Sequence, residues 1–591
     1  MIILGISDPH EATACLFIDG SLIAACAEER LTKFKCDMGY PRRAVEFCLD
    51  FAGLKGADID AVAFATLYSP AAHIRIKREA SFSIQDWVDE QNFYWKKKLA
   101  GEPVSYHDIF SNNPRYIHDQ EYDFSGVFDG EGNVDHDKFR KVRAETAAKH
   151  LKIPVDRVHF ILHEECHSYY GYHGAPTREK ALVFTCEGEG DYSNATVSIA
   201  DAEGIREICN TKENHLAHFY RYITLLLGMK PNQHEYKVMG LAPYSSTYEK
   251  NRSLSVFQDL LQVKEGNLVV NRKIPDSYFH FIQAFQGHRF DGIAAALQEY
   301  LEQCLKEWVV YHVRKTGIRS IVFSGGVAQN IKAMKTIKDM AEVEFVHVNP
   351  ISGDGSLAIG AGYRLLRQLY PDIVPQPISN IYLGPSFGKQ DVESAMVYFD
   401  VRSKYKVIES PTVRDIAIAL KDNLILAKCT GRMEFGQRAL GNRSILANPS
   451  YLGNVQIINR QIKRRDFWMP FTPTILEHRA GDYLVSPLYS PFMTMAFDST
   501  ELARKDLAAA IHPADFTVRP QVLKREANLP YFDLIEEFEC LTGVGALLNT
   551  SFNLHGEPVV CSPEDALHTF ENSSLDGLIF DDFLVLRKDN K

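Results

Sequence analysis

The chain has 591 residues, of which 45% are hydrophobic and 24% charged, a balance that excludes a disordered or collagen-like polypeptide. Lys and Arg total 65 against 76 Asp and Glu, and the net charge of −11 argues against non-specific binding to nucleic acid or to an anionic membrane, since both are polyanions. At about 150 residues per domain the length allows about four domain-sized units.

No stretch approaches the roughly 20 apolar residues that span a bilayer. The run Met1 to Ser7 lacks a basic flank and leads straight into Asp8 and His10, so it reads as a strand and not as a signal peptide. The 11 cysteines form no C-x-x-C pair, which points to reduced thiols and a cytoplasmic location.

Ile2 to Ser7, Thr13 to Ile18 and Leu22 to Ala27 are apolar runs, with Asp19-Gly20 supplying a hairpin turn between the last two. The pattern recurs as Ala181 to Thr185, the acidic Gly-rich loop Glu187 to Asp191, Ala195 to Ile199, the turn Glu203-Gly204, and Ile205 to Cys209. Two copies of strand, acidic loop and hairpin predict a duplicated α/β unit with the logic of the actin-like, sugar-kinase-like ATPase fold. In such a cleft the loop bearing Asp8, His10 and Glu11 faces nucleotide or substrate. The segment from about Leu67 to Arg140, aromatic and acidic, reads as an inserted cap or partner-contacting region. Within it Asp129 to Asp135 superficially resembles a calcium loop, but Val134 and Arg140 stand where Gly and Glu are required, so that reading is set aside.

His163-Glu164-Glu165-Cys166-His167 follows an apolar strand. Histidines at i and i+4 share one helical face, so both imidazoles can reach one metal, although chance spacing gives the same pattern. The spelling also fits H-E-x-x-H with Glu164 as base, but the downstream zincin patterns are missing. Ile318 to Phe323 runs into Ser324-Gly325-Gly326, and Val327, Ile331, Met334, Ile337 and Met340 recur at helical spacing. A Gly pair ahead of a helix suits a phosphate or adenosine contact. Phe345 to Val348 leads to Asp354, flanked by Gly353 and Gly355 before a helix from Leu357 to about Leu369; by itself this reads as a helix cap. Pro371, Pro375, Pro377 and Pro385 then mark a boundary, dividing the chain into 1–385 and 386–591.

In the second part, Gly431 to Ser444 holds Arg432, Arg438 and Arg443 among three glycines and is followed by Lys463-Arg464-Arg465, Arg519 and Asn549 to Asn553. Arginine forks bind phosphate bidentately, and Arg438 and Arg443 sit among apolar neighbours, so an anion pocket is favoured over a solvated basic face.

At these residues the sequence resembles the O-carbamoyltransferase family that includes nodulation-factor, cephem and aminoglycoside-antibiotic carbamoyltransferases. The resemblance covers nearly the whole chain. It rests on His10-Glu11, Glu28 to Leu31, Glu235 to Ala242, Gly325 to Asn330, Glu434 to Leu446, Leu548 to Asn553 and Gly556-Glu557-Pro558. It implies an α/β protein with a large actin-like, duplicated N-terminal lobe that carries the insertion at about 67–140. A C-terminal α/β domain follows, resembling the carbamoyl-adenylate-forming domain of the tRNA threonylcarbamoyl system. The implied chemistry cleaves carbamoyl phosphate to carbamate, which attacks the α-phosphate of ATP. The carbamoyl group of the resulting adenylate then moves to a hydroxyl of a small natural-product acceptor.

The resemblance further implies a metal, usually iron, on His163, His167 and Asp354, with Glu187 at a position normally Asp. It implies His10 as general base. Nucleotide and carbamoyl-phosphate contacts map to Lys35, Gly325, Gly326, Asn330, Arg438, Arg443, Ser444, Lys463, Arg519, Asn549 and Ser551, with Mg²⁺ accompanying ATP. Three departures stand out. Met469 replaces an Arg, with Arg464 or Arg465 as substitutes; Phe516 replaces a Gly; Glu11 replaces an Asp. Expected partners are the hydroxylated acceptor and a second copy of the chain, with neither nucleic acid nor a membrane. The rival readings are a threonylcarbamoyl-type tRNA-modifying enzyme, against which the acidic balance argues, and a non-catalytic nucleotide-binding regulator, for which the Arg-rich set is superfluous.

Overall fold

The computed structural model of the protein describes residues 1–177, 179–463 and 465–588. The chain divides into two compact units, Met1–Ile378 and Ser379–Lys591, a few residues ahead of the proline-marked boundary.

The first unit contains two five-stranded sheets. One is built from β1 (Ile2–Ser7), β2 (Thr13–Ile18), β3 (Ser21–Ala27), β4 (Ala61–Ala65) and β5 (Val158–Ile161), in the order β3-β2-β1-β4-β5. The other uses β6 (Ala181–Cys186), β7 (Ala195–Asp201) and β8 (Gly204–Thr211). After the separate hairpin of β9 (Leu261–Lys264) and β10 (Asn267–Val270), it is completed by β11 (Ser320–Ser324) and β12 (Phe345–Val348), in the order β12-β11-β6-β7-β8. In each sheet the first strand pairs antiparallel with a hairpin and parallel with the following strand. Each hairpin also carries one register shift, at Leu16/Phe17 and at Val197/Ser198. The duplication read from the two hairpins therefore extends to strand order, strand sense and bulge. β4 and β6 are buried along their whole length, which is why they read as unbroken apolar runs instead of alternating ones.

The insertion folds as short helices, among them Ala71–Arg75, Arg78–Ser81, Ile84–Asp89 and Tyr106–Phe110. Ile76, Phe82, Trp87, Tyr106, Phe110 and Tyr116 form their own small core with Leu225 and Tyr278. The calcium-like loop closes on itself: Asp129 accepts the backbone N–H groups of Glu131 and Asn133 at 2.9 and 2.8 Å.

The second unit is built on one eight-stranded mixed sheet. Its order is Tyr405–Glu409, Phe583–Arg587, Gly577–Ile579, Leu426–Cys429, Arg443–Ala447, Ala546–Ser551, Thr472–Leu476, Gln521–Leu523. Ala395, Met396, Ile425, Ile445, Phe471, Leu548, Phe570 and Leu578 belong to the main apolar core of this unit. Among the described residues no helix is long and apolar enough to cross a membrane.

Candidate functional site

In the first unit, β5 ends at Ile161 and the helix His163–Gly174 begins two residues later. Asp191 holds that junction. Its carboxylate accepts the backbone N–H of His163 at 2.8 Å, those of Leu67 and Tyr68 at 2.9 Å, and the Thr66 hydroxyl at 2.8 Å. A carboxylate is favoured there by the unpaired N–H groups of the helix start. Glu164 reaches the same loop from the helix and accepts the N–H of Asp191 and of Tyr192, each at 3.1 Å. It is thus a strut for the Glu187–Asp191 loop, not a base beside the two histidines.

The helical spacing then aims His163 and His167 at one point. Glu187 Oε2 lies 2.7 Å from Nε2 of both rings, and Asp354 Oδ1 lies 3.6 and 3.7 Å from them. The four donor atoms all fall within 4.8 Å of one another. Asp354 makes no side-chain cap to its helical turn, so the cap reading fails and its carboxylate is spent on the cluster. The extra methylene of Glu187 does not carry it away. Helix Leu357–Leu369, which follows Asp354, approaches the histidine helix closely: a Cβ on Gly360 would stand 2.0 Å from the Cys166 carbonyl oxygen.

Burial works to lower both histidines, but Glu187 and Asp354 outweigh it and lift His163 well above its ordinary value; Glu187 and hydrogen bonds to the carboxylates lift His167. The carboxyls of Asp354 and Glu187, which burial would raise, are held low by the histidines. The cluster fits a metal on an observation of its own. His167 Nδ1 and Nε2 and Glu187 Oε1 are buried without an aligned hydrogen-bond partner among the described residues, a costly state for polar atoms that coordination would relieve. Two imidazoles and two carboxylates are a donor set for a divalent transition metal.

The loop after β1 splits into two parts. Asp8 does not face a ligand: it is fully buried in a bidentate pair with Arg143, at 2.8 Å on each oxygen, and also accepts the Tyr122 and Ser69 hydroxyls. His10 remains partly exposed, 3.0 Å from the buried Glu79 of the insertion. Lys35 is partly exposed on the segment after helix Glu29–Thr32. Gly325 has φ +87°, and a Cβ there would meet the Cys186 carbonyl oxygen at 2.6 Å, so only glycine lets this turn lie against β6; a Cβ on Gly326 would meet nothing within 4 Å. Asn330 is otherwise engaged. Its Oδ1 caps helix Ile331–Lys338 through Ala333, and its amide exchanges hydrogen bonds with Gln298 at 2.9 and 3.0 Å.

In the second unit the cationic residues take different parts. Arg443 is fully buried, and its guanidinium donates to the carbonyls of Thr430 at 2.7 Å, Cys561 at 3.0 Å and Asn442 at 3.1 Å. These bonds, all from Nε and Nη1, hold the loop. Ser444, on the opposite face of the strand, accepts the Gly441 N–H at 2.9 Å. Glu434 folds the Arg438 loop by accepting the N–H groups of Leu440, Asn442 and Arg443. Lys463 donates to Asn553 at 2.5 Å and to Ser551. Asn549 donates to Ala439 and Thr474, each at 3.1 Å, and leaves its Oδ1 buried without a partner.

Arg519 is the outlier. The residue is half-buried but its Nε is sealed without a partner among the described residues, and burial, with Arg438 and Arg465 beside it, pushes its guanidinium well below the usual arginine range. Like charges gathered at a half-buried fork suit an anionic ligand. Arg465 also lies over the Phe471 ring at 5.7 Å, and Arg464 falls outside the described residues. Phe516 keeps the left-handed conformation of the glycine it replaces, at φ +56°.

Glu79, Glu434 and Lys428 escaped the sequence reading. Lys428 lies buried in the strand Leu426–Cys429, hydrogen-bonded to Thr430 at 2.5 Å, and burial pushes it down to about 8. A lysine inside the apolar run Ile425 to Cys429 was the available signal. Glu79 had none, because nothing local marks which insertion residue returns to His10.

A family model described as "Carbamoyltransferase N-terminus" matches residues 2–363, and one described as "Carbamoyltransferase C-terminus" matches residues 417–587. The chain is 28% identical over 591 residues to the nodulation protein NolNO of Sinorhizobium fredii, covering 98% of this chain and 79% of that protein. It is 31% identical over 426 residues to the nodulation protein NolO of Bradyrhizobium diazoefficiens, covering 69% of this chain and 76% of the relative. Among solved structures, the Acidaminococcus fermentans (R)-2-hydroxyglutaryl-CoA dehydratase component A shares 13% identity with a TM-score of 0.31, covering 62% of this chain and 97% of that one.

Proposed function

The chain belongs to the carbamoyltransferase family, and from that premise we propose that it is an ATP-dependent O-carbamoyltransferase acting on a small hydroxylated acceptor. The observation that carries the ATP-dependent half is Arg519, half-buried near Arg438 and Arg465, its Nε sealed without a partner among the described residues. Two anionic substrates, ATP and carbamoyl phosphate, relieve that repulsion. Carbamoyl phosphate is hydrolysed to carbamate and phosphate. A carbamate oxygen then attacks the α-phosphate of ATP, giving carbamoyl-adenylate and pyrophosphate. Arg438, Arg465 and Arg519, with Mg²⁺ on the triphosphate, neutralise the charge gathered in that step. Lys463, Ser551 and Asn549 line the same site, while Arg443 and Ser444 position the loop that carries Arg438.

The first unit would consume the adenylate. His163, His167, Glu187 and Asp354 would hold a divalent metal, iron on the family resemblance, which supplies Lewis-acid polarisation of a phosphate oxygen. The turn at Gly325 and Gly326 would admit the nucleotide, and Lys35 would add a cation to it. His10 takes the proton of the acceptor hydroxyl as its oxygen attacks the carbamoyl carbon and AMP departs. Asn330 is left out of this set, because its amide caps a helix.

The test is a two-stage assay on the purified chain. Pyrophosphate released from ATP only when carbamoyl phosphate is present reports the first stage. A mass gain of one carbamoyl group in a panel of hydroxylated metabolites reports the second. Pyrophosphate release independent of carbamoyl phosphate would refute the adenylate route.

A further inference from the structure

We propose that Glu79, from the insertion, is the positioning residue of His10, and that the two act as a dyad whose open imidazole edge, carrying Nε2, serves the acceptor hydroxyl. This rests on the reading of His10 as base.

His10 follows β1, whereas Glu79 lies on the helix Arg78–Ser81 of the inserted segment; only the fold joins them. His10 Nδ1 is sealed from solvent and stands 3.0 Å from Glu79 Oε1, its nearest carboxylate, without an aligned hydrogen bond among the described residues. The His10 side chain as a whole keeps 31% exposure against 1% for Glu79. The exposure therefore falls on side-chain atoms other than Nδ1.

The carboxylate is held from several sides. Oε1 accepts from Arg78 Nη2 at 2.8 Å, Arg78 Nε at 3.2 Å and Asn232 Nδ2 at 3.2 Å. The Glu79 carbonyl is gripped by Lys230 Nζ at 2.8 Å and Gln233 Nε2 at 2.9 Å. Arg78 is itself steadied by Glu90 at 3.1 Å and by the Trp87 ring, 4.5 Å from its guanidinium carbon. Burial would raise the Glu79 carboxyl, but Arg78 and His10 hold it well below the usual carboxylate range, so it stays charged.

A fixed carboxylate at Nδ1 keeps the ring proton on that nitrogen, leaving the Nε2 lone pair free. When Nε2 accepts the hydroxyl proton, the same carboxylate stabilises the imidazolium that forms. The placement suits the reaction, since His10 also bears electrostatically on Asp354 of the four-donor cluster.

The test needs no substrate. Full-length protein is treated with diethylpyrocarbonate at pH 8, and carbethoxylation of each histidine is followed by peptide mass spectrometry, with the exposed His478 as internal control. Glu79→Gln is expected to slow modification of His10 roughly three- to tenfold, because a neutral amide neither fixes the tautomer nor supports positive charge at the ring. Glu79→Asp keeps the charge but draws it back by one methylene, and should fall between wild type and Glu79→Gln. If either folded variant labels His10 at the wild-type rate, the dyad is refuted. A normal labelling difference in a protein that releases no pyrophosphate would instead refute the carbamoyl-transfer reading and leave the dyad standing.

Discussion

The two candidate sites solve opposite electrostatic problems. In the first unit, two histidines and two carboxylates neutralise one another, so the cluster holds its shape by itself, and metal entry would displace protons from the rings. In the second unit, Arg438, Arg465 and Arg519 share one sign, and Arg519 bears the resulting penalty. The first site is therefore preorganised, while the second stores repulsion that an anionic ligand relieves. Ligand binding should accordingly stabilise the second unit far more than the first.

The sharpest way to break this contrast is at Arg519. Arg519→Met should lower carbamoyl-phosphate-dependent pyrophosphate release by about 100-fold or more, the scale for removing a preorganised charge donor. It should also abolish the rise in melting temperature caused by ATP with carbamoyl phosphate, as read by calorimetry. His163→Ala tests the other side. It should remove bound metal, measured by elemental analysis, and block carbamoyl transfer to the acceptor while pyrophosphate release stays within about twofold; equal loss of both stages would mean the sites do not divide the reaction. Glu79→Gln should lower the turnover of transfer about 10- to 100-fold with little change in KM for the acceptor.

Smaller effects sharpen the contrast through stability. Lys428 is buried and pushed down from its ordinary value of 10.5 to about 8, so the folded chain binds fewer protons than the unfolded one between those values. Stability should then rise as pH climbs from about 8 toward 10.5, and Lys428→Met should be more stable than wild type by roughly 1–3 kcal/mol at pH 7. Denaturant titration at pH 7 and pH 9.5 would show that gain shrinking at the higher pH. Phe516→Gly should stabilise by about 1 kcal/mol, because a bulky residue at φ +56° carries a cost that glycine avoids.

Much of this architecture was legible in the residues. The hairpin duplication and the i and i+4 histidines declare themselves through local periodicity, and each lands where that period puts it. Other contacts of the same motifs were not legible in them. Arg443 and Arg438 sit in one block, yet Arg443 opens a strand and donates to backbone carbonyls, whereas Arg438 lies in the loop before it. Asn330 sits in a Gly-rich loop but ends as a helix cap, a role that depends on where the next helix starts. Asp8, beside His10, was claimed by Arg143 from a helix far along the chain.

Composition and charge by themselves decided that this is an ordinary globular chain, acidic overall. Local pattern decided which strands form and which histidines share a face, because a helix or strand period is a property of the chain alone. Tertiary structure decided the partners. Whether a buried guanidinium meets a carbonyl, a carboxylate or another guanidinium depends on residues brought together across hundreds of positions, and the desolvation cost of leaving it unpaired is what separates a scaffold arginine from a ligand-binding one. By that measure Arg443 spends Nε and Nη1 on backbone carbonyls while Arg519 Nε has no partner among the described residues, and Glu79, unremarkable in the sequence, becomes the neighbour of His10.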